Sequence, residues 1–565
     1  MDRLIKRPRL SLALVVVTSL LSACGGSDSA SNDTQQPLPV PPAVIPTPPP
    51  EDTPLYPKMT GAQASRLLHQ ATMGPTGKEI EVAAQTSANA WLTHQFTLPP
   101  TLHSPALRIS PGKEQANYSN RIDAWWQVSL HAPDQLRQRV AFALSQIFVV
   151  SDTGNNLRGK PEAMVTYYDT LLRHSFGNYR ELLEAATLSP AMGTYLSHLG
   201  NEKANVELNI RPDENYAREV MQLFTIGLEQ LHLDGTAKTD DEGRTIATYD
   251  QVAIEGFARV FTGWTFAEAE NWKWPTKHYL APMQAWPEYH SELEKILLNS
   301  ERIAAGTGPE QSLKIALDNL FNHPNVGPFI GKQLIQRLTT SNPSPAYVER
   351  VASVFNDNGQ GVRGDLKATV YAILMDQEAR DLTYAPSHFG KLKEPLLQTV
   401  QFWRELSAYS QSGFFYTWDL ASSHGQAPLG SPSVFNFYRP DYQPQTLADT
   451  ELVAPEAQIA NSVTSIGLMN YHYASLLWRI DSLKEGDTGN QILIDLSQHQ
   501  QHLAQHGPQG LIDYYNRLFF SDQMSLSMMQ ELLAVFEWAE NKQPEYQIAY
   551  CLFLIAIAPE YVTQR

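Results

Sequence analysis

From about Thr60 to the C-terminus, apolar residues return at three- and four-residue intervals, and Gly, Pro and Asn interrupt the runs. That period is the 3.6-residue turn of an α-helix, and period-two strand patterns are nearly absent. Helices are predicted over residues 135–149, 161–172, 179–186, 213–227, 249–261, 311–321, 326–338, 345–355, 366–375, 392–407, 511–519, 525–537 and 544–557. In the segment 213–227, Asp213 stands at the N-cap, acids fill the first turn, and Gly227 sits where a helix exit favours glycine. Thr248 with Gln251 reads as a capping box for the next helix. One small β-hairpin is predicted in 231–246, with Asp234-Gly235 and Glu242-Gly243 as candidate turns. No 20–50-residue repeat is visible, which disfavours a solenoid. The fold class is therefore mainly α, a large multi-helix domain with long irregular loops at 272–286 and 411–445, where sites tend to lie.

The N-terminus reads differently. Arg3, Lys6, Arg7 and Arg9 precede the apolar run of residues 10–21, the pattern of an export signal. The run ends Leu21-Ser22-Ala23-Cys24-Gly25, which resembles the lipobox of bacterial lipoproteins, with cleavage before a lipidated Cys24. By resemblance to the sorting rule of such lipoproteins, Gly25 in place of aspartate implies the outer membrane. The expected organisation is a signal peptide over 1–23, a Pro-rich disordered tether over 24–58 in extended polyproline form, and a helical domain over 59–565. Lipid attachment would make the membrane a partner through Cys24. Losing the signal removes four basic residues and one acid, which moves the net charge from −17 to −20. That charge argues against nucleic acid as a partner, since such binding needs Lys and Arg to neutralise phosphates. With 2 cysteines, a disulfide scaffold is excluded, and Cys551 in its apolar run is expected to be buried.

Several residues could carry chemistry. Glu214 and Arg218, and Asn215 and Glu219, lie four apart and so form two polar pairs on adjacent helix faces. One reading makes Glu214 or Glu219 an acid/base and Arg218 an orienting cation; the other is an ion-pair network between helices. Trp264 after Thr262-Gly263 either lines a sugar- or peptide-binding cleft or fills the core behind a helix exit. His290 and Glu294 would share a helical face, but two candidate ligands make no metal site, and no metal is assigned. His499, His502 and His506 fall in a Gln-rich stretch that reads as an exposed helix. His424, Gln426, Asn436 and Tyr438 bring polar groups into the long loop and are candidate binding residues. There is no P-loop, dinucleotide fingerprint, Gly-x-Ser-x-Gly elbow, His-Glu-x-x-His or Cys-x-x-Cys. Cofactors are left unassigned.

Taken together, the motifs resemble a large bacterial family known as domain of unknown function 1800. The matching residues are Arg66-Leu67-Leu68-His69-Gln70-Ala71-Thr72-Met73-Gly74-Pro75-Thr76, Arg139-Val140-Ala141-Phe142-Ala143-Leu144-Ser145-Gln146-Ile147-Phe148, Phe176-Gly177-Asn178-Tyr179-Arg180, and Glu214-Asn215-Tyr216-Ala217-Arg218-Glu219 with Phe261-Thr262-Gly263-Trp264. Later come His290 with Lys295, Lys393-Glu394-Pro395, Gly425-Gln426-Ala427-Pro428 and Ser433-Val434-Phe435-Asn436-Phe437-Tyr438. Ser291 departs from the family's usual aspartate, which weakens a metal or acid/base role for His290. The resemblance supplies no activity; it implies an exported protein that accompanies a second exported family, domain of unknown function 1501. Two functions are compatible with these residues: a helical scaffold or binding module for an envelope partner or polysaccharide, and an envelope hydrolase or lyase using Glu214, Arg218, Glu219 and His290.

Overall fold

The structure, a computed structural model, describes residues 57–417, 420–478 and 489–565. The expected signal peptide, Cys24 and the expected tether as far as residue 56 lie outside the described residues. What is described belongs to one compact unit, Ile45–Arg565.

Helices begin where local chemistry satisfies their free N–H groups. Thr60 and Gln63 form a reciprocal capping box ahead of Gly61–Ala71, and Asn117 with Asn120 does the same for Tyr118–His131. Proline, whose missing N–H costs nothing at that position, stands in the first turn of Pro161–His174, Pro309–Phe321, Pro345–Asn356, Pro395–Glu405 and Pro544–Ile557. Strand among the described residues is limited to four antiparallel pairs, each strand two residues long. One of them, Lys391–Leu392 against Thr563–Gln564, ties the chain end to the segment that enters helix Pro395–Glu405. The mainly α fold expected from the periodicity is what is found.

The helices bury one continuous apolar core. Phe148, Tyr179, Tyr216 and Phe224 are almost fully enclosed, and Trp126 packs 4.4 Å from Trp403 between ring centroids. Each such side chain contributes about 1.5–3 kcal/mol through burial. The polar ends are satisfied: Tyr216 shares a 2.7 Å hydrogen bond with Thr187 Oγ1, and the Tyr179 hydroxyl donates to the Phe224 carbonyl. Cys551 is buried, as expected. No helix among the described residues is long and apolar enough to cross a membrane.

Several local expectations change. The 231–246 segment turns at both candidate positions, with short antiparallel pairing around each (Leu231 with Ala237, Thr239 with Thr245) in place of one regular hairpin: the His232 N–H donates to Thr236 O at 2.8 Å and the Asp240 N–H to Arg244 O at 2.9 Å. The helix expected over 213–227 runs Asn215–Gln222, and Asp213 instead accepts the Asn215 N–H at 2.7 Å. Thr248 does not cap helix Gln251–Val260. Its hydroxyl donates to the Gly227 carbonyl at 2.5 Å, and Asp250 takes the cap by accepting the Ala253 N–H. His290 and Glu294 share no helical face, because a single 3-10 turn, Pro287–Tyr289, gives way to extended backbone at His290. The Gln-rich stretch is helical within Ser497–Phe520, which breaks at Gly507, but His499 is buried against Tyr515 rather than exposed.

Candidate functional site

The residues singled out from the sequence separate into three places. Arg218 Nη2 lies 2.6 Å from Glu214 Oε2 and also donates to Gln251 Oε1, forming a solvent-exposed cluster on the surface. Exposed pairs of this kind stabilise by no more than about 1 kcal/mol. Asn215 is exposed beside them. Glu219 turns inward instead: its Oε2 is buried without a hydrogen-bond partner, and desolvation raises its carboxyl above the usual range against the pull of Arg218. Its charge reaches Tyr195 and Tyr249.

His290 is held elsewhere. Its Nδ1 donates to the Thr262 carbonyl at 2.9 Å and its Nε2 lies 3.2 Å from Ser312 Oγ, so both ring nitrogens are engaged by the protein. Burial lowers it to about 4, which leaves a neutral ring at physiological pH. Trp264 is a core residue with 5% exposure, and its indole N–H has no partner among the described residues.

Gln426 and Tyr438 join a third, internal group. Glu394, fully enclosed at the start of helix Pro395–Glu405, accepts hydrogen bonds from Gln146 Nε2 and, at 2.5 Å, from Gln426 Nε2. The Tyr438 hydroxyl donates to Gln146 Oε1 at 3.3 Å, and Lys391 lies 2.8 Å from Glu456 and 3.6 Å from Glu394. Arg139 and Arg337 complete the group through backbone carbonyls: Arg139 donates to Arg337 O, and Arg337 to Gln146 O at 3.1 Å. Asn436 lines a cavity of about 10 Å³ beside Gln146 and Gln426, room for about one water. His424 packs nearby in the core, with its ring nitrogens 2.8 Å from Thr399 Oγ1 and from Ser423 Oγ, and burial drops it to about 3. Gln146, Glu394, Gln426 and Tyr438 come from four separate motif segments and are fastened together inside the protein. Their chemistry is that of an internal polar junction.

A different pair of motif residues, His69 and Lys393, faces open volume. They line a cleft of about 420 Å³, a size that suits small ligands. Lys393 precedes the N-cap of helix Pro395–Glu405 and is pinned on both sides: its N–H donates to Val562 O at 2.7 Å, and its carbonyl accepts from Gln398 Nε2 at 2.8 Å. Its ammonium nitrogen sits 3.9 Å from the Tyr561 ring centroid and makes one long contact, 3.5 Å, to Gln401 Oε1. Among the described residues it has no ion-pair partner. Contact with the ring favours the charged amine, yet burial at 7% exposure outweighs it and lowers the group to about 7.

His69 lies on helix Gly61–Ala71, which is moored to the far wall by Ser65: its hydroxyl donates to Arg517 O at 2.7 Å and lies 2.9 Å from Ser521 Oγ. The Leu518 carbonyl, 2.8 Å from His69 Nε2, can only accept, so the proton sits on Nε2 and Nδ1 is left as an acceptor. Burial, reinforced by the neighbouring Lys393 charge, holds this ring well below the ordinary histidine range. Ser521 and Asp522, both with left-handed backbone (φ 53° and 63°), end helix Ser497–Phe520 and turn the chain around the cleft. The arrangement offers an amine near neutrality, an imidazole acceptor and a polar wall. Sequence reasoning did not single out either residue, although both lie in quoted motifs; the available signal was a lysine directly before an acid–proline helix start.

No group of three or more metal-ligating side chains occurs among the described residues. The sequence matches, over residues 66–563, the family described as "Protein of unknown function (DUF1800)". No curated protein and no solved structure matches the chain.

Proposed function

We propose that this chain, which belongs to the DUF1800 family of proteins of unknown function, is an exported cell-envelope binding module, lipid-anchored through Cys24 and probing its surroundings on the Pro-rich tether. Its helical body would take a polar chain, an envelope polysaccharide, in the cleft floored by Lys393 and His69. One observation carries this reading: among the described residues, Lys393 is a buried amine without an ion-pair partner that lines a ligand-sized cleft of about 420 Å³. Burying such a group costs stability unless something else compensates, and structural packing alone would be served better by an apolar side chain.

The lining suits a glycan. Phe519, Phe520 and Pro559 present apolar faces, and Ser521, Gln523 and Thr563 bring hydrogen-bonding groups. The test is a titration of the full chain in detergent with polysaccharide fragments from the bacterial envelope. It compares the native protein with Gln523→Trp, a substitution at an exposed position on the cleft wall. Binding weakened about tenfold, with an unchanged melting temperature, supports the cleft; equal affinity in both proteins removes it. A second reading, an envelope hydrolase or lyase, draws on the same amine, since a group near 7 can give and take a proton at neutral pH. It requires turnover of the bound glycan that Lys393→Met abolishes.

A further inference from the structure

Buried cations elsewhere in this protein are held by carboxylates or by backbone carbonyls: Lys295, fully enclosed and without an ion pair, donates to the Ser291 and Leu293 carbonyls at 2.8 and 3.3 Å. Arg121 Nη2 lies 2.7 Å from Asp152 and Lys391 2.8 Å from Glu456, and the half-buried Arg350 reaches both Asp376 and Glu378. Arg139 and Arg337 contact only carbonyls but sit in the field of Glu394 and Glu456, and Arg380 feels Asp376. Lys393 has neither a carboxylate nor a backbone carbonyl on its ammonium, whose one long hydrogen-bond contact is to Gln401 Oε1, and unlike those arginines it lines a cleft. Glu560, the acid on the cleft wall, is already committed to Ser525, whose N–H and hydroxyl it accepts at 3.0 and 2.6 Å. The side of Lys393 that lacks a counter-charge is therefore the side a ligand would occupy. A ligand bringing a negative charge would turn an unfavourable buried amine into a paired one.

His69 narrows the class further. With Nε2–H held by the Leu518 carbonyl, the ring can only accept at Nδ1, so it suits a hydroxyl donor near the charged group. A carboxylate with hydroxyls around it is the chemistry of a sugar acid. We propose that the cleft between helix Gly61–Ala71, the turn at Ser521 and the Lys391–Leu392/Thr563–Gln564 strand pair is a receptor for the carboxylate of a uronic-acid sugar, with Lys393 Nζ as its counter-charge and His69 Nδ1 accepting from a neighbouring hydroxyl. This rests on the reading of the cleft as a glycan site and specifies which glycans enter it.

The test uses the full chain in detergent, titrated calorimetrically with galacturonic acid oligosaccharides and with their methyl esters, which keep the shape and remove the charge. The acid should bind at least tenfold tighter than the ester. Lys393→Met should erase that preference, and Lys393→Arg, which keeps the charge, should retain part of it. If the native protein binds acid and ester equally, the carboxylate proposal is overturned while the glycan cleft survives. A preference that persists in Lys393→Met also overturns it, by placing the charge recognition elsewhere. If neither oligosaccharide binds, the proposal fails. If Gln523→Trp then binds envelope fragments as tightly as the native protein, the cleft reading fails with it. The acid-against-ester comparison needs no variant, so it decides the matter even if Lys393→Met does not fold.

Discussion

Acidification from pH 7 to pH 5 should destabilise this protein through histidines buried in the neutral form. His198 donates from Nε2 to the Thr187 carbonyl at 2.8 Å and stacks 3.9 Å from the Tyr216 ring centroid; burial lowers it to about 4. His472, whose Nε2 has no partner among the described residues, is likewise lowered to about 4, and His424 to about 3. An unfolded histidine titrates near 6.5, so below that value the unfolded chain binds protons that the folded one refuses, and stability falls as pH falls. At pH 5 each of these rings costs about 2 kcal/mol, or about 6 kcal/mol for the three. Glu405 acts in the opposite sense. Burial raises it to about 7, so the unfolded carboxylate ionises first, and moving from pH 7 to 5 returns about 2 kcal/mol. For these four groups the net loss is about 4 kcal/mol, and His290, His323 and His499, each lowered to about 4 by burial, add to it in the same direction, against the roughly 5–15 kcal/mol that holds a typical domain together. Urea unfolding followed by circular dichroism at the two pH values should show a markedly lower midpoint at pH 5. His472→Phe, which keeps a ring and removes the titration, should recover about 2 kcal/mol of the loss. A midpoint that stays level or rises on acidification, or a His472→Phe variant that tracks the native protein, would refute the argument.

Three further outcomes follow from packing and from the proposed anchor. A Cβ added at Gly256, inside helix Gln251–Val260, would lie 1.9 Å from the Ile296 carbonyl oxygen. Gly256→Ala should therefore lower stability by about 3 kcal/mol or more, and an unchanged melting temperature would contradict the packing. Glu394→Ala leaves the Gln146 and Gln426 donors unpaired and takes one of two nearby acids from Lys391. A loss of about 3–5 kcal/mol is expected, with Glu394→Gln milder, measured by denaturant midpoint. Cys24→Ala should abolish incorporation of labelled fatty acid and release the chain from the membrane fraction; a variant that stays membrane-bound would rule out the lipid as the anchor.

Helix existence was legible because its determinants are local: proline in the first turn, Asn, Ser and Thr caps, and a three-to-four apolar period. The errors came where distant chain decides. Thr248 looked like a cap, but Gly227, twenty-one residues earlier, engages its hydroxyl. His290 and Glu294 had helical spacing. The backbone there is extended at His290 and packs closely on Gly263, where an added Cβ would lie 2.8 Å from His290 N and 2.9 Å from the Trp286 carbonyl. His499 looked exposed until Tyr515 and Glu405 closed over it. The candidate site was the least legible part. His69 and Lys393 stand 324 positions apart, and the cleft exists only because the chain end pairs with Lys391–Leu392 and Ser521 turns the chain. Gln426, Asn436 and Tyr438 were legible as special residues, yet their spacing could not tell an internal junction from a ligand site.

Lys393 is an amine without a counter-charge that lines the cleft, and its protonation can be measured directly. The native protein is labelled with a trace amine-reactive reagent across pH 5 to 10, and the Lys393 peptide is quantified by mass spectrometry against surface lysines such as Lys314. Lys393 is expected to be reactive and to titrate at about 7, well below the ordinary lysine value. A Lys393 that titrates near the ordinary lysine value of about 10.4, or that never reacts with the folded protein, would contradict it.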